Sequence, residues 1–219
     1  MIRAYNDTYL EEAMENLGTA MDTAVRAVGM TVDEFMESFI SSGVARLYEQ
    51  GWYEYTAGMS GMELLMKIMR DNQDNRPIKD IQRSFEKTPE YWTGWILAYW
   101  QWRSVMSYQD IMSYMKAKDV LRLYHPLHEA SEERACDSFR NIMLANPHET
   151  KLATLRKSYD LSQRDLSIRS GVSLRMISQY EQREKNINRA AVSSLLSLST
   201  IFSCRIEDLM EPIPLTDEY

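Results

Sequence analysis

The sequence contains few of the residues that build disulfide frameworks, metal clusters and phosphate-binding loops. Its 219 residues include two cysteines, three histidines, eight glycines and six prolines. Cys136 and Cys204 lie 68 positions apart, so we expect them to be reduced, buried thiols, as in cytoplasmic proteins, rather than a disulfide. No glycine-rich phosphate loop is present. These shortages exclude a small disulfide-bonded scaffold and predict a protein that folds around a hydrophobic core.

Long apolar runs are also missing. Since no stretch of about 18 apolar residues occurs, we expect neither a transmembrane helix nor a membrane partner. The first 18 residues are acidic and lack the apolar centre of a signal peptide, which predicts a cytoplasmic location. Hydrophobic residues nevertheless make up 44% of the chain, enough for the core of one large or two small domains.

The residue types used in catalysis and metal binding are scattered along the chain. No Ser/His/Asp, Cys/His or paired-carboxylate arrangement is evident, so we predict no enzyme and no cofactor. His125, His128 and Glu129 form an H-x-x-H-E pattern, but Pro126 interrupts its spacing. Because a metal site typically needs three or four converging ligands, we interpret these histidines as loop residues and expect no metal.

Charge is distributed unevenly along the chain, whose formal net charge is −7. Residues 1–150 carry 15 Lys and Arg against 23 Asp and Glu, whereas residues 151–210 carry 10 against 6. Asn146-Pro147 separates the two regions, because proline disfavours helical backbone in the residue before it. We therefore predict an acidic domain at 1–146, a basic domain at 147–211 and a flexible tail at 212–219.

Helix signals dominate the acidic region, and no strand pattern appears, so the predicted fold class is all-α. Apolar residues spaced by three and four predict a helix over Asn6–Val28; they are Leu10, Met14, Leu17, Met21, Ala24 and Val28. Thr31 with Glu34 and Ser60 with Glu63 form capping boxes. Pro77 predicts a short helix through Phe85. A Trp/Tyr-rich helix over residues 89–106 is expected to be core rather than a ligand cage or a partner-binding face.

The most informative stretch is Leu161–Arg183, LSQRDLSIRSGVSLRMISQYEQR. Ser162 and Asp165 form a capping box for a helix from Gln163 to Ser170. Gly171 ends that helix, because glycine adopts positive φ without steric cost. Ser173 is a good N-cap for a second helix over Leu174–Gln182. Four apolar residues would hold the two helices at a fixed angle, which predicts a helix-turn-helix; they are Leu166, Val172, Ile177 and Tyr180.

The patterns L-S-Q-x-x-L, S-G-V-S and I-x-x-Y-E in this stretch resemble the helix-turn-helix of the Cro/phage-repressor (XRE-type) family. The similarity extends over Leu152–Met210, where LATLRKSYD, NRAAVSSLLSLSTIF and CRIEDLME resemble the first, fourth and closing helices. It implies a C-terminal five-helix domain with packing positions at Ala190, Leu195, Leu196, Leu198 and Ile201. The chain departs from the family pattern at Ser167, where alanine is usual, and at Arg183, where glycine is usual.

The resemblance also implies which residues contact DNA. Base-reading residues would lie on the outer face of the second helix, in the major groove, at Leu174, Arg175, Ser178 and Gln179. Arg175 would pair with guanine and Gln179 with adenine. Phosphate contacts are expected from Gln163, Arg164, Arg169, Ser173, Arg183, Lys185 and Asn186. The implied partner is double-stranded DNA, bound by a two-fold homodimer with half-sites about 34 Å apart.

These observations predict a sequence-specific DNA-binding transcriptional regulator, most simply a repressor, in which residues 1–146 dimerise, sense a signal or hold a partner. The alternative is an antitoxin that neutralises a toxin through this acidic domain and regulates its own gene through the helix-turn-helix. A third hypothesis is an enzyme that uses the N-terminal domain. We place homodimerisation in 1–146 as a whole, while expecting the apolar stripe of its first helix to be buried inside its own domain.

Overall fold

The computed structural model describes residues 3–79, 87–145 and 148–211. All regular secondary structure in these ranges is helical, which confirms the predicted all-α class. None of these helices is long and apolar enough to cross a membrane. The predicted boundary at 146–147 and the predicted tail at 212–219 fall outside the described residues. In the predicted Pro77–Phe85 helix, residues 77–79 are not helical. Its remaining residues lie outside the described residues.

The chain divides into two compact units. The N-terminal unit contains the described residues up to 145, the C-terminal unit contains 148–211, and each has its own hydrophobic core. The described N-terminal helices are α1 Leu10–Thr23, α2 Val32–Ser41, α3 Val44–Glu49, α4 Tyr53–Thr56, α5 Gly61–Asp71, α6 Pro89–Ser104, α7 Tyr108–Tyr114, α8 Ala117–Arg122, α9 Tyr124–Leu127 and α10 Glu132–Ala145. In the C-terminal unit they are α11 Lys151–Ser158, α12 Gln163–Ser170, α13 Leu174–Glu181 and α14 Val192–Phe202.

Helix α1 is shorter than predicted because the segment Asn6–Val28 is not one regular helix. A 3-10 turn over Asp7–Tyr9 precedes α1, and a π-helical turn over Ala24–Val28 follows it. The apolar stripe of α1 packs into the N-terminal core, with Leu17 and Met21 fully buried. This burial agrees with the expectation for the stripe and excludes it as an exposed dimerisation surface.

Close contact between α1 and α6 organises the N-terminal core. Thr88 caps α6 by accepting a hydrogen bond from the Tyr91 backbone N–H at 3.0 Å, and Pro89 occupies the first turn. A Cβ atom on Gly94 would lie 2.6 Å from the Leu17 carbonyl oxygen. The two helices therefore approach closely enough that only glycine fits at Gly94.

The aromatic residues of α6 form core, as the sequence predicts. Trp92, Tyr99, Trp100 and Trp102 are buried, and Trp100 packs edge-to-face on Phe139 with ring centroids 5.8 Å apart. Such pairs add about 0.5–1.5 kcal/mol to the stabilisation from burial alone. A helix with buried residues on every side leaves little surface for a ligand.

The two cysteines and the H-x-x-H-E residues differ in burial: Cys136 lies in the N-terminal core, whereas His125, His128 and Glu129 are exposed. Burial raises the pKa of the Cys136 thiol to about 12, so this thiol stays protonated at neutral pH and is a poor nucleophile. Both cysteines are free thiols; Cys136 is buried, but Cys204 is partly exposed, contrary to the expectation that both are buried. The His128 ring stacks on Tyr124 at 4.4 Å. No group of three potential metal ligands occurs in the described ranges.

Candidate nucleic-acid interface

Helices α12 and α13 form the predicted helix-turn-helix, and its capping groups are in place. The Ser162 hydroxyl accepts a hydrogen bond from the Asp165 N–H, while the Asp165 carboxylate accepts one from the Ser162 N–H, both at 3.1 Å. Gly171 ends α12 with φ +71°. The Ser173 hydroxyl caps α13 by accepting from the Met176 N–H at 3.3 Å. Helix α12 has its predicted bounds, and α13 ends one residue earlier than predicted.

The two helices are joined by the predicted core. Leu166, Val172, Ile177 and Tyr180 are all buried. Ser167 stands where the XRE-type pattern usually has alanine. Its hydroxyl donates a hydrogen bond to the Val172 carbonyl oxygen at 2.7 Å. This bond satisfies the extra hydroxyl, so the substitution is compatible with the turn.

A charged network that the sequence did not reveal connects three helices of this unit. Arg156 of α11 donates from Nε and Nη2 to the two carboxylate oxygens of Glu181 on α13, at 2.7 and 2.9 Å. Gln163 of α12 donates its Nε2 hydrogen bond to the same carboxylate at 2.8 Å. Arg156 and Glu181 are both largely buried. Sequence reasoning missed the network because Glu181 lies 25 positions from Arg156 and 18 from Gln163, beyond any helical spacing.

The network also sets the ionisation of Glu181. Burial raises the pKa of this carboxyl, but the hydrogen bonds from Arg156 and Gln163 and the positive charges of Arg156 and Lys157 lower it below its usual value overall. Glu181 is therefore ionised at neutral pH. A paired, ionised carboxylate at the end of α13 holds this helix against α11 and α12.

The four predicted base-reading residues lie on one exposed face of α13. Leu174 is 45% exposed, Arg175 is exposed, and Ser178 and Gln179 are partly exposed. Arg175 forms no ion pair with any described residue. The face is thus accessible and uncommitted, and base contact by these residues stays a prediction.

Most of the predicted phosphate-contacting residues are also accessible. Arg164 and Arg169 are exposed on α12, and neither forms an ion pair within the described ranges. Ser173 is exposed at the N-terminus of α13, and Lys185 and Asn186 are exposed after its end. Arg189 is a further exposed cation of this unit; it lies beyond the helix-turn-helix pattern, so the sequence pattern did not indicate it.

Two of the predicted phosphate-contacting side chains, those of Gln163 and Arg183, form hydrogen bonds inside the unit. Arg183 donates from Nη2 to the His148 carbonyl oxygen at 2.7 Å and pairs with Glu211 at 3.2 Å. Its backbone adopts φ +58°, the left-handed conformation that glycine usually supplies after this helix. Arg183 thus anchors the exit loop and Gln163 is held by Glu181. Phosphate contact by either side chain stays a prediction.

Helix α14 differs from the prediction at one packing position. Leu195 and Leu198 are buried, and Ala190 and Ile201 pack against the core, but Leu196 is 51% exposed. Leu196 follows Leu195 by one residue, about 100° around the helix, and therefore faces away from the core. The closing fifth helix is reduced to a 3-10 turn over Ile206–Asp208.

Comparison of the chain with protein-family models, curated proteins and solved structures finds no match. The functional assignment therefore depends on the geometry and charge of the C-terminal unit.

Proposed function

We propose that this protein is a sequence-specific DNA-binding transcriptional regulator that occupies an operator through α13. The observation that supports it is the uncommitted polar face of α13, presented by a fully capped helix-turn-helix in the basic part of an acidic chain. The major groove of B-DNA admits an α-helix, and its base edges offer a distinct hydrogen-bond pattern for each base pair. A fold of the XRE type with this face fits that role, and repression follows if the operator overlaps a promoter.

Each exposed side chain has a chemical role in this proposal. Arg175 donates two hydrogen bonds to the O6 and N7 atoms of guanine, and Gln179 pairs with adenine. Leu174 contacts a thymine methyl group. Arg164 and Arg169 neutralise phosphates and set the orientation of the unit on the duplex. The acidic N-terminal unit repels the DNA backbone and supplies dimerisation or partner binding instead.

Assembly follows from the size of the DNA site. One helix-turn-helix covers a half-site only, so we propose a cytoplasmic homodimer on a two-fold operator. An antitoxin remains the second candidate. The observation that favours it is the excess of carboxylates in the N-terminal unit, which suits a basic protein partner.

The test begins with selection of bound duplexes from a random library by the full-length protein, followed by titration of the selected site. Arg175→Ala and Gln179→Ala should each weaken binding to that site by about 1–3 kcal/mol and relax preference at one base pair. Arg134→Ala removes an exposed arginine of the N-terminal unit and is the matched control, with unchanged affinity expected.

Salt dependence separates phosphate contacts from base contacts in the same experiment. Arg164→Ala should lower the slope of log affinity against log salt by about one, without changing base preference. Selection that yields no enriched sequence, or equal binding by both α13 variants and the parent, would disprove base reading by α13.

A further inference from the structure

The loop that follows α13, residues 182–189, turns back along this helix and is called the exit loop. Arg183 adopts φ +58°, and two residues later the Lys185 backbone N–H donates to the Gln179 carbonyl oxygen at 3.1 Å. The Lys185 ammonium lies 3.5 Å from the Met176 sulfur, which is only a weak acceptor. Lys185 forms no ion pair with any described residue. The exit loop therefore holds an uncompensated cation beside α13.

Glu211 joins the exit loop to the start of α11. Its carboxylate accepts a hydrogen bond from the Lys151 backbone N–H at 2.6 Å through Oε1, and Oε2 pairs with Arg183 Nη1 at 3.2 Å. The main chain of Glu211 forms two further bonds with the Asn188 side chain. Asn188 Nδ2 donates to the Glu211 carbonyl oxygen at 2.7 Å, and the Glu211 N–H donates to Asn188 Oδ1 at 2.9 Å. One residue thus holds the exit loop near both of its ends.

The backbone of Arg183 explains why the exit loop needs this support. Left-handed backbone is unfavourable for a residue with a side chain, because its Cβ approaches the following carbonyl oxygen, and the XRE-type pattern usually has glycine here. The ion pair with Glu211 and the hydrogen bond to the His148 carbonyl oxygen offset that cost. Since the Glu211 side chain is only 15% exposed, the pair is screened less than one on open surface.

We propose that Glu211 is a positioning residue for DNA binding, because it holds the exit loop so that Lys185 contacts a phosphate beside the base pairs that α13 reads. This inference rests on the proposed function and adds to it a residue outside both helices of the helix-turn-helix. Phosphate contacts fix the orientation of a protein on the duplex. The expected effect of Glu211 is opposite in sign to that of its charge, since removal of a carboxylate should by charge alone strengthen binding to a polyanion.

The test titrates the full-length protein with its selected duplex at several salt concentrations. Glu211→Ala should weaken binding about fivefold and lower the slope of log affinity against log salt by about one, with base preference unchanged. Glu211→Gln keeps one acceptor oxygen and should show a smaller loss of the same kind, which keeps the test valid if alanine unfolds the unit.

Glu184→Ala is the matched control for loss of a carboxylate. Glu184 is exposed in the same loop and forms no ion pair among the described residues. Its removal takes away the same charge without releasing the exit loop. The affinity of this variant should therefore equal or exceed that of the parent.

A double-mutant cycle shows whether Glu211 acts through Lys185. Lys185→Ala alone should lose as much affinity as Glu211→Ala, and the double variant should lose no more than either single variant. Hydrogen exchange in peptides from 182–189 should be faster in Glu211→Ala, because the loop is no longer held, while exchange in α12 stays at the parental rate.

Unchanged or stronger DNA binding by Glu211→Ala would overturn the inference, since the carboxylate would then act only as a charge. Additive losses in the double variant would also overturn it, because Glu211 would then act independently of Lys185. Faster exchange throughout 148–211 together with relaxed base preference would show that Glu211 only stabilises the fold, and its positioning role would be wrong. A parent protein that enriches no duplex would overturn the proposed function and this inference together, whereas the other three results overturn this inference alone.

Discussion

The two units bury their helices to different extents. Helix α6 of the N-terminal unit buries eleven of its sixteen residues, among them the polar residues Thr93 and Gln101. Helix α13 of the C-terminal unit buries only Ile177 and Tyr180. A helix that is enclosed on every side stabilises a core, whereas a helix buried on one stripe retains a face for a partner. This difference supports the proposal that α13 reads DNA, and it leaves little surface of α6 for a partner.

Tryptophan placement allows the stability of the units to be measured separately. All five tryptophans of the chain lie between Trp52 and Trp102, in the N-terminal unit. Tryptophan fluorescence during urea unfolding therefore follows that unit alone. Hydrogen exchange of peptides from 148–211, read by mass spectrometry, follows the other.

We expect the largest effect from a substitution that breaks the hydrogen-bonded network of Arg156, Gln163 and Glu181 in the C-terminal unit. Glu181→Ala leaves Arg156 largely buried without its carboxylate, which should cost the C-terminal unit about 3 kcal/mol. Faster hydrogen exchange in α11–α13 would measure this loss, with the fluorescence midpoint unchanged. The double variant Arg156→Met, Glu181→Leu replaces the pair with apolar groups and should recover most of the lost stability. If the single and double variants exchange equally fast, the unpaired charge is not the cause.

We expect smaller losses of stability from substitution of two glycines, which are required for different reasons. Gly94→Ala places a methyl group against the backbone of α1, so we expect a loss of about 2 kcal/mol in the N-terminal unit despite the better helix propensity of alanine. Gly171 has φ +71° and open space around its Cα, so Gly171→Ala should cost the C-terminal unit only about 1 kcal/mol. Gly171→Asn should cost less, because asparagine tolerates this conformation. Equal losses for Ala and Asn at Gly171 would exclude backbone conformation as its role.

Local signals in the sequence were sufficient to predict the helices and the turn of the helix-turn-helix. The contacts between residues distant in sequence could not be predicted from them. Capping by Ser162 and Ser173 depends on residues three positions away, and Gly171 acts through its own φ angle, so sequence reasoning placed them correctly. The bond from Arg156 to Glu181 and the anchoring of Arg183 by Glu211 join distant positions, and nothing in the local pattern indicates them. Leu196 shows a further limit, because hydrophobicity alone does not tell which face of α14 meets the core.

In the N-terminal unit, too, local signals could be predicted from the sequence and non-local contacts could not. Capping boxes at Thr31 and Ser60 correctly predicted where α2 and α5 begin, because those signals are local. The contact of α1 with α6 at Gly94 depends on how the chain folds back, which no periodicity reveals.

The smallest expected effect is a difference in how the stability of the two units depends on pH. It arises from Glu49 in the N-terminal unit and Glu181 in the C-terminal unit. Burial raises the pKa of the Glu49 carboxyl above its usual range, although the Tyr108 N–H donates a hydrogen bond to it and opposes the shift. A raised folded pKa means that ionised Glu49 destabilises the N-terminal unit at neutral pH and that this cost disappears as the pH falls through the folded pKa. For Glu181 the sign is opposite, because its lowered pKa contributes stability above pH 4.5 that is lost on further acidification.

Glu49→Gln keeps an acceptor for the Tyr108 N–H and removes the charge. We expect the variant to be slightly more stable than the parent at pH 7, by less than about 1 kcal/mol since Glu49 is partly solvated. The two proteins should converge as the pH approaches 4.5, and tryptophan fluorescence in urea at pH 7, 6 and 5 measures this convergence. Glu37→Gln, at an exposed position of α2, is the control for loss of one charge. A variant that is less stable than the parent by the same amount at every pH would show that Glu49 acts only as the acceptor for Tyr108, and the contrast between the units would then lie in packing rather than in ionisation.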